Sequence, residues 1–174
     1  MAALISSQRY TAEVRRLCAD AVPSGVVVAP EPGAAVEHDF LLLRPHRSSH
    51  DALSPQVRRV GDHDLLVRFR NRDEQLVFEF WTNSFTGTPT SDDRSVDLLE
   101  RYCAEQFPGT LRRFRTRIRR AVPSAMRVPS WTYVCCSDAE KSAADGTRMA
   151  DVTVTCTQGG DVLAQAWATY ALPD

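Results

Sequence analysis

Glu100 is the residue of this sequence best placed to do acid–base chemistry. It lies in VDLLERYCAEQF, Val96–Phe107, where a helical turn gathers Val96, Leu98, Leu99, Tyr102, Cys103 and Phe107 on one broad face. Asp97, Arg101, Ala104 and Glu105 take the opposite face, and Glu100 falls at the edge of the apolar one. A carboxylate there loses part of its hydration, which raises its pKa toward values useful to a general acid or base. An ordinary boundary glutamate, solvated or paired with Arg101 or Arg115, fits the same pattern. Tyr102, on the apolar face, is a candidate substrate contact.

Leu111–Arg120 (LRRFRTRIRR) is the second feature. As a strand it places Arg113, Arg115, Arg117 and Arg119 on one face, with Phe114, Thr116 and Ile118 on the other. Four guanidinium groups in a stripe suit the phosphates of coenzyme A, a phosphopantetheine arm, or an acidic carrier protein. A solvated face balanced by acids on neighbouring strands suits them equally.

Other chemistry finds little support. The cysteines are Cys18, Cys103, Cys135, Cys136 and Cys156, an odd count without metal-ligand spacing, and reduced thiols are expected. Of the histidines, His38 opens a strand, while His46, His50 and His63 fall in polar segments; no spacing supports a metal site. No nucleophile elbow, Walker loop or dinucleotide fingerprint is present. Trp131, Trp167, Tyr133 and Tyr170 read as core or interface residues.

A net charge of −1 and the absence of a binding motif argue against nucleic acid. No apolar run approaches the ~20 residues needed to span a bilayer, and the N-terminus lacks the order of a signal peptide. A cytoplasmic protein is expected, with no partnership with a membrane. Lys141 is the only lysine among 21 basic residues, and this arginine bias, with much Ala and Val, points to a GC-rich, bacterial coding sequence.

The elements that must position these residues follow from periodicity. A short amphipathic helix is expected over Gln8–Asp20, and strands at His38–Arg44, Gln56–Val60, Leu65–Arg70 and Gln75–Trp81. A longer helix over about Asp93–Phe107 starts at Ser91, Asp92 and Asp93. Strands at Leu111–Val122, Ser130–Cys136, Ala150–Cys156 and Val162–Leu172 complete the chain. Strands on both sides of one helix indicate an α+β domain with an antiparallel sheet. The 174 residues suit one domain, with a short N-terminal helical extension over about 1–35. Two architectures fit this order: a sheet wrapped around a central helix, or a cone-shaped α+β barrel of the NTF2 type.

The order of the motifs resembles the hotdog-fold 3-hydroxyacyl-carrier-protein dehydratases of the FabA/FabZ type and their MaoC-like relatives. The likeness runs from about His38 to the C-terminus. LLLRPHR is similar to their early Pro-His-Arg stretch, and SFTGTP, Ser84–Pro89, resembles their His-Phe-Pro-Gly-x-Pro loop. SVDLLERYCAEQF is similar to the helix that follows, with Glu100 at the catalytic carboxylate. FRTRIRRAVPSAMRV resembles the strand before a proline turn, and TCTQGGDVLAQAWATYALPD the terminal hairpin.

The resemblance implies a hotdog fold, a dimer with the site at its interface, and an acyl thioester as substrate. It implies acid–base work by Glu100 and an oxyanion contact from the backbone of Gly87. Ser84 stands where the family has histidine, and Asp92 and Asp93 where it has small apolar residues. Three readings follow. One is an enzyme using Glu100 for dehydration or hydrolysis, in bacterial fatty-acid, polyketide-type or specialised metabolism. The second is a degenerate subunit paired with a histidine-bearing hotdog partner. The third is a ligand-binding or cyclase-type barrel of the NTF2 kind. No cofactor is expected beyond the phosphopantetheine or coenzyme A that carries the acyl group.

Overall fold

Alternation of period two shapes most of this chain, and every such segment enters the same sheet. The computed structural model describes residues 10–43, 52–107, 109–122 and 130–173, with the side chains of 130–141 excepted. Helix α1 (Tyr10–Ala21) is followed by β1 (Val36–Leu42), β2 (Ser54–Val60), β3 (Asp64–Arg70) and β4 (Leu76–Thr82). Helix α2 (Ser91–Gln106) separates these from β5 (Thr110–Ile118), β6 (Ser130–Ser142), β7 (Arg148–Gln158) and β8 (Asp161–Ala171). The expected α+β class with an antiparallel sheet is what forms.

The eight strands run in the order β2-β3-β4-β1-β5-β8-β7-β6, and all neighbours are antiparallel. β1 therefore sits between β4 and β5 near the middle, although three strands separate it from β5 in sequence. Its inner face carries His38, Phe40 and Leu42, all buried. Phe40 stacks on Phe80 of β4 at 4.7 Å and meets Phe114 of β5 at 6.4 Å. Each such phenyl ring removed from water stabilises the fold by roughly 1.5–3 kcal/mol.

Helix α2 packs Val96, Leu99 and Cys103 into this same core, touching β5, β7, β8 and α1. Its N-cap is Thr90, one residue before the expected start. Asp93 N–H donates to Thr90 Oγ1 at 3.3 Å, and Thr90 N–H donates to Asp93 Oδ2 at 2.7 Å. This reciprocal box satisfies two otherwise orphaned groups and contributes about 1 kcal/mol. Gly109 carries the chain from α2 to β5, where a Cβ would lie 2.6 Å from the Ala171 carbonyl oxygen. Helix α1 adds Val14 and Cys18 to the core, so the N-terminal segment shares the buried interior of the sheet.

Strand boundaries correct the sequence reading in two places, and β6 runs on to Ser142 instead of ending at Cys136. β5 ends at Ile118 rather than Val122. Beyond it the N–H groups of Arg119 and Arg120 both turn to the Leu163 carbonyl. Arg119 therefore lies past the end of the strand that carries Arg113, Arg115 and Arg117, although it still lines a surface pocket together with Arg117 and Glu37. The segment Arg44–Asp51, with His46 and His50, and the proline turn 123–129 lie outside the described residues, as do the side chains of Trp131, Tyr133, Cys135 and Cys136. No helix among the described residues is long and apolar enough to cross a membrane.

Candidate functional site

The Ser84–Thr90 loop, the first turns of α2 and one face of α1 enclose a cavity of about 550 Å³. Its apolar wall includes Phe80, Phe85, Pro89, Ala12 and Ala19, while Arg15, Arg94, Asp93 and Asp97 approach from the two helices. Ser84 and Gly87 both line it. Gly87 has φ +79°, and a Cβ there would meet nothing within 4 Å. The loop needs glycine for its backbone conformation and not for close packing.

Glu100 is not at the edge of the apolar face but inside it, 1% exposed. Both carboxylate oxygens accept the backbone N–H of Thr11, each at 3.2 Å, and Oε2 also accepts the Thr11 hydroxyl. Thr11 stands in the first turn of α1, whose N–H groups have no acceptor within their own helix. Glu100 thus ties α2 to the start of α1. Burial pushes its pKa up to about 7, against the lowering effect of the Thr11 hydrogen bonds and Arg15. It does not line the cavity. Neither does Tyr102, which packs its ring against the core. Arg101, one proposed partner of Glu100, instead bonds Glu105 at 3.0 Å.

The arginines face acids across the sheet. Arg113 meets Asp39 at 2.6 Å and Arg117 meets Glu37 at 2.5 Å, both partners on β1. Arg115 lies opposite Asp39 in the ladder, yet its nearest approach is 3.6 Å. The side chains are about half exposed, at 48, 56 and 46% for Arg113, Arg115 and Arg117. These residues occupy the outer face of the sheet, whereas the cavity lies on the inner face with His38 and Phe80. The structure does not bring stripe and loop together in one chain.

His38 was read from sequence only as the start of a strand. It is 3% exposed and lines the cavity, beside Phe80, whose ring centroid is 5.8 Å away. Burial lowers its pKa to about 4; the nearby Asp93 raises it and Arg15 lowers it further. The imidazole is therefore neutral near pH 7. Its Nδ1 lies 2.8 Å from Thr82 Oγ1, while Nε2 is buried without a hydrogen-bond partner among the described residues.

The hydroxyl of Thr82 favours one tautomer of the ring. Oγ1 lies 3.1 Å from the Glu37 carbonyl oxygen and 2.9 Å from that of Ser84, and it accepts Ser84 N–H at 3.0 Å. Carbonyl oxygens only accept, whereas a ring nitrogen can accept or donate, so the network is best satisfied when the single hydroxyl proton goes to a carbonyl. His38 Nδ1–H then donates to Oγ1, and Nε2 is left with its lone pair. No motif in the sequence marks this arrangement. The only available signal was a histidine at an inward position of an otherwise apolar alternating strand.

Among the described cysteines, Cys18, Cys103 and Cys156 are free and buried. Burial raises all three thiols, that of Cys103 to about 12 with the help of the Glu100 charge, so none is a ready nucleophile. Among the described residues no three His, Cys, Asp or Glu side chains converge as a metal site would require.

No protein-family model matches the sequence, and no curated protein matches it. Several solved structures are similar at low level, three of them tesB or thioesterase proteins by name. The tesB protein of Mycobacterium avium subsp. paratuberculosis has 11% identity and a TM-score of 0.46 over 82% of this chain and 81% of its own. A candidate thioesterase II from Thermobifida fusca YX gives 10% and 0.45, over 81% of each chain. A candidate thioesterase from Novosphingobium aromaticivorans DSM 12444 gives 12% and 0.43, over 80% of each. Likenesses this low identify neither fold nor activity, and the geometry of the cavity has to carry the functional reading.

Proposed function

We propose that this chain is a hotdog-fold protein that hydrolyses acyl thioesters, with the acyl group carried on coenzyme A or on the phosphopantetheine arm of a carrier protein. One observation carries the reading. The loop that resembles the reactive loop of the acyl-thioester enzymes, Ser84–Pro89, forms one wall of a cavity of about 550 Å³ at the start of α2. Phe80, Phe85 and Pro89 are its apolar lining, with charged side chains of α1 and α2 around it. That volume and lining suit an acyl chain with a polar thioester end. The terminal hairpin of the resemblance, β7–β8, and the helix packed on the sheet support the hotdog assignment.

Hydrolysis suits the cavity better than dehydration. Removal of water from a 3-hydroxyacyl group needs one base at C2 and one acid at the C3 hydroxyl. Ser84 replaces the first, and Glu100 is shut behind Thr11. Attack by water needs one proton acceptor and access for the water.

Thiol release from acyl-CoA thioesters of graded length, run beside enoyl formation from a 3-hydroxyacyl-CoA, tests the proposal. Thiol release without enoyl product is expected. Enoyl formation would return the chain to the dehydratases, and inertness toward both would leave it no hydrolase.

A second reading, an acyl-binding subunit that works only with a homologous partner, draws on the first turn of α2. Asp92 and Asp93 place negative charge where an oxyanion would have to form, and Asp93 already occupies the cap. Turnover that appears only after a histidine-bearing hotdog partner is added would favour it.

A further inference from the structure

We propose that His38 takes the proton of the attacking water, with Thr82 as its positioning residue, and that Glu100 does no proton transfer. The inference rests on the reading of the cavity as an acyl-thioester site. Three observations on different parts of the molecule support it.

First, His38 lines the cavity that holds Ser84 and Gly87, and Glu100 does not. A base must come within hydrogen-bond reach of the proton it removes. Glu100 is 1% exposed and engaged on both oxygens by the first turn of α1. His38 is nearly as buried, at 3% exposed, but only its Nδ1 is engaged, and Nε2 has no hydrogen-bond partner among the described residues.

Second, the favoured tautomer suits the task. Thr82 is the cross-strand partner of His38 on β4, and its hydroxyl is surrounded by two carbonyl oxygens, one N–H and the ring. The best-satisfied arrangement has the ring donate from Nδ1, which leaves the lone pair on Nε2 free to accept. The same hydroxyl holds the N–H and the carbonyl of Ser84, so ring orientation and loop position depend on one atom.

Third, leaving Nε2 buried and unpaired in an apolar wall costs free energy that a bonded water would recover. Phe40 and Phe80 flank the ring at 6.2 and 5.8 Å. On the opposite side, the ladder partner Thr116 of β5 has its own hydroxyl buried without a hydrogen-bond partner. A polar pair of this kind in a phenylalanine-rich layer contributes nothing to packing that Val or Leu would not do better.

The step balances. The water oxygen bonds to the thioester carbonyl carbon while its proton passes to Nε2. The C–S bond then breaks, and the departing thiolate takes the proton from the imidazolium. Carboxylic acid and thiol result, and the ring is again neutral. The charged groups facing His38 are Asp93 from α2 and Arg15 from α1, which themselves pair at 3.3 Å. From β4 and β5 it is faced by Phe80, Thr82 and Thr116, none of which titrates.

The test uses octanoyl-CoA for turnover and octyl-CoA, its non-hydrolysable thioether, for binding. With wild-type protein kcat/KM should stay level above about pH 5 and fall on the acid side through about pH 4, where His38 protonates. His38→Gln should lower kcat on the order of 10²–10⁴-fold and leave octyl-CoA affinity within about threefold. Thr82→Val, which frees the ring to take the other tautomer, should lower kcat while KM changes little, and Thr82→Ser should restore it. Glu100→Gln should keep kcat within a few-fold. An acid limb near pH 7 that vanishes in Glu100→Gln would overturn the proposal, as would full turnover by His38→Gln. Octyl-CoA binding with no turnover would overturn this inference and leave the acyl site standing. Loss of both would overturn the acyl reading and this inference with it.

Discussion

Glu100 holds Thr11 from the neighbouring helix, accepting its backbone N–H on both oxygens at 3.2 Å and its hydroxyl on one. The carboxylate thus ends in the first turn of α1, where unpaired N–H groups and the helix dipole favour negative charge. Helix α1 also supplies Ala12, Arg15 and Ala19 to the cavity wall, which Glu100 and Thr11 themselves do not line.

Thr11→Val keeps the shape of the side chain and removes one donor from a buried carboxylate. We expect a loss of about 1–3 kcal/mol in urea unfolding. Hydrogen exchange should accelerate along α1 while the central strands β1 and β5 keep their protection. A uniform loss of protection across all of these would show that α1 is not separately held by this contact.

The two buried titratable groups oppose each other in pH dependence. The pKa of His38 falls from 6.5 to about 4, so the unfolded chain binds the extra proton and stability drops as pH falls through that window. The pKa of Glu100 rises from 4.5 to about 7, so the folded chain keeps the extra proton and stability drops as pH rises from about 4.5 to 7. Between about pH 4.5 and 6.5 the two slopes should largely cancel. Glu100→Gln should leave a protein that loses stability toward acid, and His38→Gln one that loses it toward neutral pH. Urea midpoints measured from pH 4 to 8 decide this, and equal slopes in both variants would contradict it.

Much of the fold was legible because burial in a sheet repeats every two residues. In β3, Leu65, Val67 and Phe69 face inward while Leu66, Arg68 and Arg70 face outward, which alternation alone gives. The position of β1 beside β5 was not legible, since ladder order depends on contacts far apart in sequence. At the cavity, the loop was singled out by the resemblance of Ser84–Pro89 and the helix by the apolar face of α2. The depth of Glu100 was not, because its cover comes from α1, 89 positions away. His38 went unnoticed because its meaning lies in Thr82, brought next to it only by strand pairing.

The arginine stripe divides by partner. Arg113 donates twice to Asp39, at 3.1 and 2.6 Å, whereas Arg115 reaches the same carboxylate only at 3.6 Å. Arg115 is therefore the more available cation for an acidic carrier surface. Arg115→Glu should weaken carrier-protein binding and reduce its salt dependence more than Arg113→Glu does. Either change should cost under about 1 kcal/mol of stability, as expected of half-exposed pairs. Identical carrier affinity in both variants would make the stripe a solvated sheet face and nothing more.

Ser84 gives the last prediction, because it stands where the resembling enzymes have their histidine. Its backbone, not its hydroxyl, is engaged: the N–H donates to Thr82 Oγ1 at 3.0 Å, and the carbonyl oxygen lies 2.9 Å from the same atom. Ser84→Ala keeps both groups and the volume of the cavity wall, so thioester hydrolysis should stay within about threefold and octyl-CoA affinity should not change. A serine nucleophile would behave differently, since loss of its oxygen would abolish turnover and the wild type would accumulate an acyl-enzyme. Mass spectrometry of the protein quenched during octanoyl-CoA turnover separates the two. An unmodified chain is expected, and an added octanoyl group on Ser84 would replace direct attack by water with covalent catalysis.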